Sequence, residues 1–156
     1  MALVLRPFAP ADDALLIEWF RAPDELWRFA GDSLRWPLDR RQLGAIRRDP
    51  ETLAWSACIE PDGPAVGHAE LRRTGPTAAR LARVGIDPAR RGRGLGRAML
   101  RAVLGEAHAR GLRSLDLRVY AANDPARALY GGQGFRDRGA DPFDRRLRIM
   151  TLELAR

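Results

Sequence analysis

At 156 residues, with 46% apolar and 30% charged residues, the chain suits one soluble globular domain with a proper core. No apolar run approaches membrane-spanning length, and no basic stretch precedes an apolar one in the first seven residues, so neither a membrane anchor nor a leader is expected. The single Cys58 excludes an internal disulfide and points to a reducing, cytoplasmic setting, its apolar neighbours marking an inert core thiol.

In chain order, residues 3–6 read as a short strand closed by Pro7. A helix follows from Asp12, with Leu15, Leu16, Trp19 and Phe20 on one face. Residues 21–38 resist assignment. Pro23 breaks the pattern, Asp24 suits a capped turn, and Gly31-Asp32-Ser33 and Trp36-Pro37 read as loop. Trp27 and Trp36 in this segment are either core anchors or the wall of a pocket. Asp39, with Gln42 three residues on, opens the next helix in a capping-box spacing that ends near Asp49-Pro50. Residues 53–59 and 65–72 form a hairpin around Pro61-Asp62-Gly63-Pro64, and residues 80–86 add a third antiparallel strand.

A long amphipathic helix spans residues 95–110 and ends at Gly111. Glu106 falls inside its apolar arc and wants an arginine partner. Residues 115–119 form a buried strand, and strand–helix–strand order favours a parallel or mixed sheet there. Asn123-Asp124-Pro125 caps a short helix to about residue 131. Strands follow from residue 134 and over 147–154, where alternation is poor because both faces are partly covered.

Between the third strand and the long helix lies Arg90-Arg91-Gly92-Arg93-Gly94-Leu95-Gly96. Alternate glycines allow a tight turn and a close backbone approach, and the free N–H groups of the following helix face back toward it. Arg90, Arg91 and Arg93 add charge-assisted donors. The arrangement suits a phosphate-bearing ligand. It matches neither the dinucleotide fingerprint nor the nucleotide-triphosphate loop. The net charge of +7 raises a nucleic-acid reading. All basic residues are arginine, however, which looks like compositional bias. Residues 1–60 carry a net −2 and residues 61–156 a net +9, so the excess accompanies the glycine turn. The slightly acidic first part suits a cationic partner.

Arg91-Gly92-Arg93-Gly94-Leu95-Gly96 resembles the Q/R-x-x-G-x-G/A motif of the GNAT superfamily, the acyl-CoA-dependent N-acetyltransferases. The resemblance continues in Asn123, Ala126, Leu129-Tyr130 and Gly134-Phe135 and covers most of residues 80–136. It implies one GNAT-like α/β domain over residues 1–156, a mixed, mostly antiparallel sheet flanked by helices. It also implies acetyl-CoA as cosubstrate. The cofactor arm is expected along Val84, Gly85 and Ile86, with Gly85 at a bulge or splay. The diphosphate is expected over Arg91, Gly92, Arg93, Gly94, Leu95 and Gly96, with Asn123 touching the arm as well as capping its helix. Trp27 and Trp36 become candidate walls of the acceptor pocket.

Acyl transfer to an amine needs a held thioester, a stabilised oxyanion, a deprotonated amine and a protonated thiolate. The resemblance gives the last task to Tyr130, which otherwise reads as a packed aromatic. Some relatives place a glutamate on the strand before Asn123, but Arg118 stands there and cannot accept a proton. Glu70 and His68 share a strand face by the two-residue period and are the candidate bases. Either also reads as a satisfied core residue. Two histidines and one cysteine at unrelated spacings argue against a metal, and no nucleophile elbow is present. The predicted activity is direct acetyl transfer to a primary amine: a protein N-terminus, a lysine or a small molecule. No nucleic-acid or membrane partner is expected, and the sequence leaves the oligomeric state, a homodimer included, open. A non-catalytic acyl-CoA-binding module is the main rival, with a nucleic-acid binder behind it.

Overall fold

The computed structural model describes residues 2–155. The chain runs through strand β1 (Val4–Pro7), helices α1 (Asp13–Glu18), α2 (Pro23–Ala30) and α3 (Arg40–Arg48), and strands β2 (Thr52–Cys58), β3 (Ala65–Gly75) and β4 (Ala78–Ile86). Helix α4 (Leu95–Ala109), strand β5 (Ser114–Tyr120), helix α5 (Asp124–Gly132) and strands β6 (Arg136–Ala140) and β7 (Leu147–Glu153) complete it. The sheet order is β1-β2-β3-β4-β5-β7-β6. All neighbours are antiparallel except β4 and β5, so the sheet is mixed and mostly antiparallel, flanked by five α-helices as expected.

Two apolar layers sandwich the sheet. On one face α4 buries Leu95, Met99, Leu100 and Val103 against Val66, Leu71, Leu81, Leu115 and Leu117. On the other, α1, α2 and α3 enclose Phe8, Leu16, Leu26, Phe29, Leu43 and Ile46. Alternation along β3 separates the layers: a β-carbon on Gly67 would strike Met99 of α4, whereas the next residue, His68, packs against Phe8 and Phe29.

Residues 21–38 are the main correction. Pro23 does not break a helix; it opens α2, where its missing N–H costs nothing and its fixed φ is already helical. Gly31–Ser33 forms a 3-10 turn rather than open loop. Asp39 caps α3 by accepting from the Gln42 backbone N–H at 3.0 Å. The Gln42 side chain does not close the box; it binds the Arg35 N–H and the Arg35 and Pro37 carbonyls instead. In α4, Gly111 at φ 76 follows the last turn as expected, and Glu106 finds Arg110 at 3.4 Å. The poor alternation of β7 has a topological cause: it lies between β5 and β6, with Met150 opposite Leu117 and buried.

The parallel pairing of β4 and β5 is short. Only Ala78, Ala79 and Arg80 are in register with Ser114, Leu115 and Asp116. Beyond Arg80 the two strands part, and the opening between their carboxyl ends is the place for a ligand.

Candidate active site

One wall of the opening is the turn into α4. Gly92 and Gly94 have φ values of 78 and 77, the left-handed region that a β-carbon disfavours. Gly94 is the N-cap of α4; no side chain caps that helix and its first turn has no acidic residue. The first helical bond is donated by Ala98 to Gly94, so the N–H groups of Leu95, Gly96 and Arg97 precede the intrahelical ladder. Unfilled donors and the positive end of a 15-residue helix make an anion cradle.

The second wall is β4. Its register with β3 shifts between His68 and Glu70: Gly85 faces His68 and Ala82 faces Glu70, so Arg83 and Val84 together oppose Ala69. This is a β-bulge, and Arg83 sits in it at φ 47. The sequence reading puts the irregularity at Gly85. The bulge lies one to two residues earlier, and Gly85 has a different duty. A β-carbon there would stand 3.0 and 3.1 Å from two Phe29 ring atoms, so the glycine lets α2 press onto the strand.

The third wall is α5. Asn123 caps it, accepting from the Ala126 N–H at 3.3 Å. Tyr130, in the last turn, is 8% exposed and packs edge-on against Phe135. Burial pushes its phenol up to about 12, so it stays protonated at neutral pH.

These walls enclose a cavity of about 690 Å³. Of the residues singled out for the cofactor, Val84, Gly85, Ile86, Arg91, Gly92, Gly94, Leu95, Gly96 and Asn123 line it, and Tyr130 lines it too. Arg93 does not; it is exposed beside the turn. The volume and the cradle fit a diphosphate-bearing ligand with an extended arm.

The two candidate bases lie behind this wall. His68 and Glu70 are 2% and 1% exposed and do not line the cavity. Their Nε2 and Oε2 atoms are 2.7 Å apart, and Arg83 donates to the other Glu70 oxygen at 2.5 Å. Arg118, at the place where some relatives carry a glutamate, is held by Asp116 and Asp141. Trp27 and Trp36 line a separate shallow hollow of about 360 Å³. Trp27 does not line the main cavity; its ring meets that of Tyr120, which does, in a T-shaped contact at 5.2 Å between centroids, and Arg146 lies over its ring at 4.4 Å.

Sequence reasoning misses Glu25. It sits in the first turn of α2 and lines the cavity with Phe20, Phe29 and Tyr120. It is the one carboxylate among the cavity-lining residues, is half-buried, and forms no ion pair among the described residues. Its signal emerges only once residues 23–30 are seen to be helical. Then Glu25, Arg28 and Phe29 fall on one face by i, i+3, i+4 spacing. No group of three or more potential metal ligands is gathered among the described residues, and none of their helices is long and apolar enough to cross a membrane.

A parted β4–β5 sheet, a bulged strand and a glycine cradle opening a long helix define an α/β protein with a site for a phosphate-bearing ligand. Residues 14–135 match the model of the acetyltransferase (GNAT) family, and the chain belongs to that family of acetyl-CoA-dependent N-acetyltransferases. It is similar to a crystal structure of an acetyltransferase from Thermus thermophilus, with TM-score 0.77 and 28% identity over 99% of this chain and 98% of that one. A spermidine N-acetyltransferase from Vibrio cholerae, in complex with CoA and spermine, shares the fold at TM-score 0.80, with 17% identity over 97% and 95%. Among curated proteins, mycothiol acetyltransferase of Clavibacter michiganensis subsp. michiganensis is 51% identical over 63 residues, 40% of this chain and 21% of that protein. The one from Beutenbergia cavernae is 36% identical over 87 residues, 56% of this chain and 29% of that protein. The chain thus matches less than a third of the length of these curated relatives.

Proposed function

We propose that this chain transfers the acetyl group of acetyl-CoA directly to a primary amine within one ternary complex. The acceptor class comprises protein N-termini, lysine side chains and small amines. The observation that carries the reading is the shared cavity: the anion cradle, the bulged strand, a neutral phenol and an unpaired carboxylate all open into one space.

Acetyl-CoA, when bound, supplies an activated acyl group and a thiolate leaving group. The cradle from Arg91 to Gly96 holds phosphate through backbone N–H groups and Arg91. Val84, Gly85 and Ile86, unpaired on the β5 side, offer backbone groups to the arm and to the carbonyl oxygen. Tyr130 donates a hydrogen bond toward the departing sulfur. A phenol at about 12 is a weaker acid than a thiol at about 8.5, so Tyr130 stabilises the departing sulfur chiefly as a donor, and the second amine proton, freed as the C–N bond forms and the C–S bond breaks, goes to that sulfur or to water. Glu25 receives the cationic amine and is placed to accept its proton, directly or through water.

Thiol release from acetyl-CoA over an amine panel tests this. Tyr130→Phe is expected to lower kcat by about 100-fold while leaving the KM for acetyl-CoA near native. Glu25→Gln is expected to raise the KM for amine, and Asp24→Asn, which removes a charge from the same helical turn outside the cavity, is expected to do neither. Tight CoA binding with no turnover on any amine would instead establish a non-catalytic acyl-CoA-binding module.

A further inference from the structure

We propose that His68, Glu70 and Arg83 are positioning residues: a buried polar chain that locks the β4 bulge in the shape that receives the acyl carrier. The proposal rests on the acetyl-transfer reading above and assigns a task to a buried charged group, Glu70, that the reading leaves idle.

The three residues straddle the bulge. Glu70 is 1% exposed and uses both carboxylate oxygens, accepting from Arg83 Nη1 at 2.5 Å and facing His68 Nε2 at 2.7 Å. Arg83 is the bulge residue itself, at φ 47, a conformation that its β-carbon opposes. Something outside the strand must hold it there, and the Glu70 carboxylate is the group in contact with its side chain from β3. Arg83 Nε also donates to Ser33 Oγ at 3.2 Å, and Ser33 Oγ donates to the Ala30 carbonyl at the end of α2. The clamp therefore joins β3, the bulge and the acceptor-side helix.

His68 ties the clamp to the cavity wall. It is the register partner of Gly85, and its ring meets Phe29, the side chain that covers Gly85. Its Nδ1 is buried without a partner. The Glu70 carboxylate accepts, so Nε2 is the ring's donor in this pair. Buried charges of this kind are weak stabilisers compared with apolar side chains of similar volume; what they provide is one geometry rather than several. Here that geometry is the divergence of Val84, Gly85 and Ile86 from β5.

The test is calorimetry with CoA, together with amide exchange at Val84, Gly85 and Ile86, in the full chain. Glu70→Gln and Arg83→Gln are expected to weaken CoA binding about tenfold and to speed exchange at those three amides, and Arg83→Lys to restore most of the loss. Ser33→Ala, an exposed change at the outer end of the clamp, reads the same exchange should the buried variants fail to fold; faster exchange at Val84 is expected. Lowered melting temperatures with native CoA affinity and native exchange in the folded variants would overturn the proposal and leave the trio a core feature only. A native chain giving no heat with CoA would sink the acetyl-transfer reading, while the exchange arm would still report on the clamp.

Discussion

Gly85 shows how one missing methyl serves two elements. Phe29 packs on it from α2, and that ring is itself held by Phe20 at 4.6 Å and His68 at 5.7 Å between centroids. The ring has little room to yield to a β-carbon 3.0 Å away. Gly85→Ala is therefore expected to cost about 1–3 kcal/mol by overpacking and to push α2 off the strand. A thermal melt checks the first effect and a raised KM for amine the second. Native stability would show that Phe29 moves freely. The cradle glycines make the contrast: nothing lies within 4 Å of a β-carbon on Gly92 or Gly94, so it is their left-handed φ that selects glycine there.

Among the elements, α1 and α3 are joined by a buried ion pair. Asp13, 1% exposed, takes two bonds from Arg47 at 2.7 and 3.0 Å, with Arg40 at 3.8 Å beyond. Arg47→Met would keep an apolar side chain but remove the guanidinium that lies 4.8 Å over the Phe8 ring and leave the carboxylate with only the distant Arg40. The expected loss is about 3–5 kcal/mol, read from a denaturant midpoint. An unchanged midpoint would mean that Arg40 closes in to replace it. The pair also illustrates what a sequence can show. Asp13 and Arg47 are 34 positions apart, and no local spacing links them. The glycine turn, the long helix, the β2–β3–β4 meander and Asn123 as a cap are legible because each is specified by neighbours along the chain. Helix α2 is not, because Pro23 reads as a breaker where it is an initiator, and Glu25 is hidden with it. The two-residue period puts His68 and Glu70 on one face but is silent on whether that face meets solvent or Phe29.

The whole molecule should be stable over a wide pH plateau bounded by two identifiable sets of groups. On the acid side, burial alone would raise Asp12, but the hydrogen bonds from Arg6, the Ala9 N–H and Ser56 outweigh it and hold the carboxyl below its usual range. Asp116 is likewise lowered against its burial by Arg80 and Arg118, and Arg148 with the Gly139 N–H brings Asp137 to about 2. Because these folded values lie below the unfolded ones, the stability they contribute is present above about pH 3.9 and is lost as pH falls through the folded values. On the alkaline side the sign reverses in its origin. Tyr130 is raised to about 12 by burial, so its contribution is complete below the unfolded value of about 10 and disappears as pH climbs from 10 to 12. The chain has no lysine, and arginine stays protonated through this range, so few other groups titrate there. Urea midpoints measured across pH are expected to fall at both ends, and Tyr130→Phe, which retains the buried ring, should flatten the alkaline decline while leaving the acid one intact. A variant that keeps the full alkaline decline would show that the phenol reaches water, and the cavity wall around Tyr130 would then be more open than its 8% exposure implies.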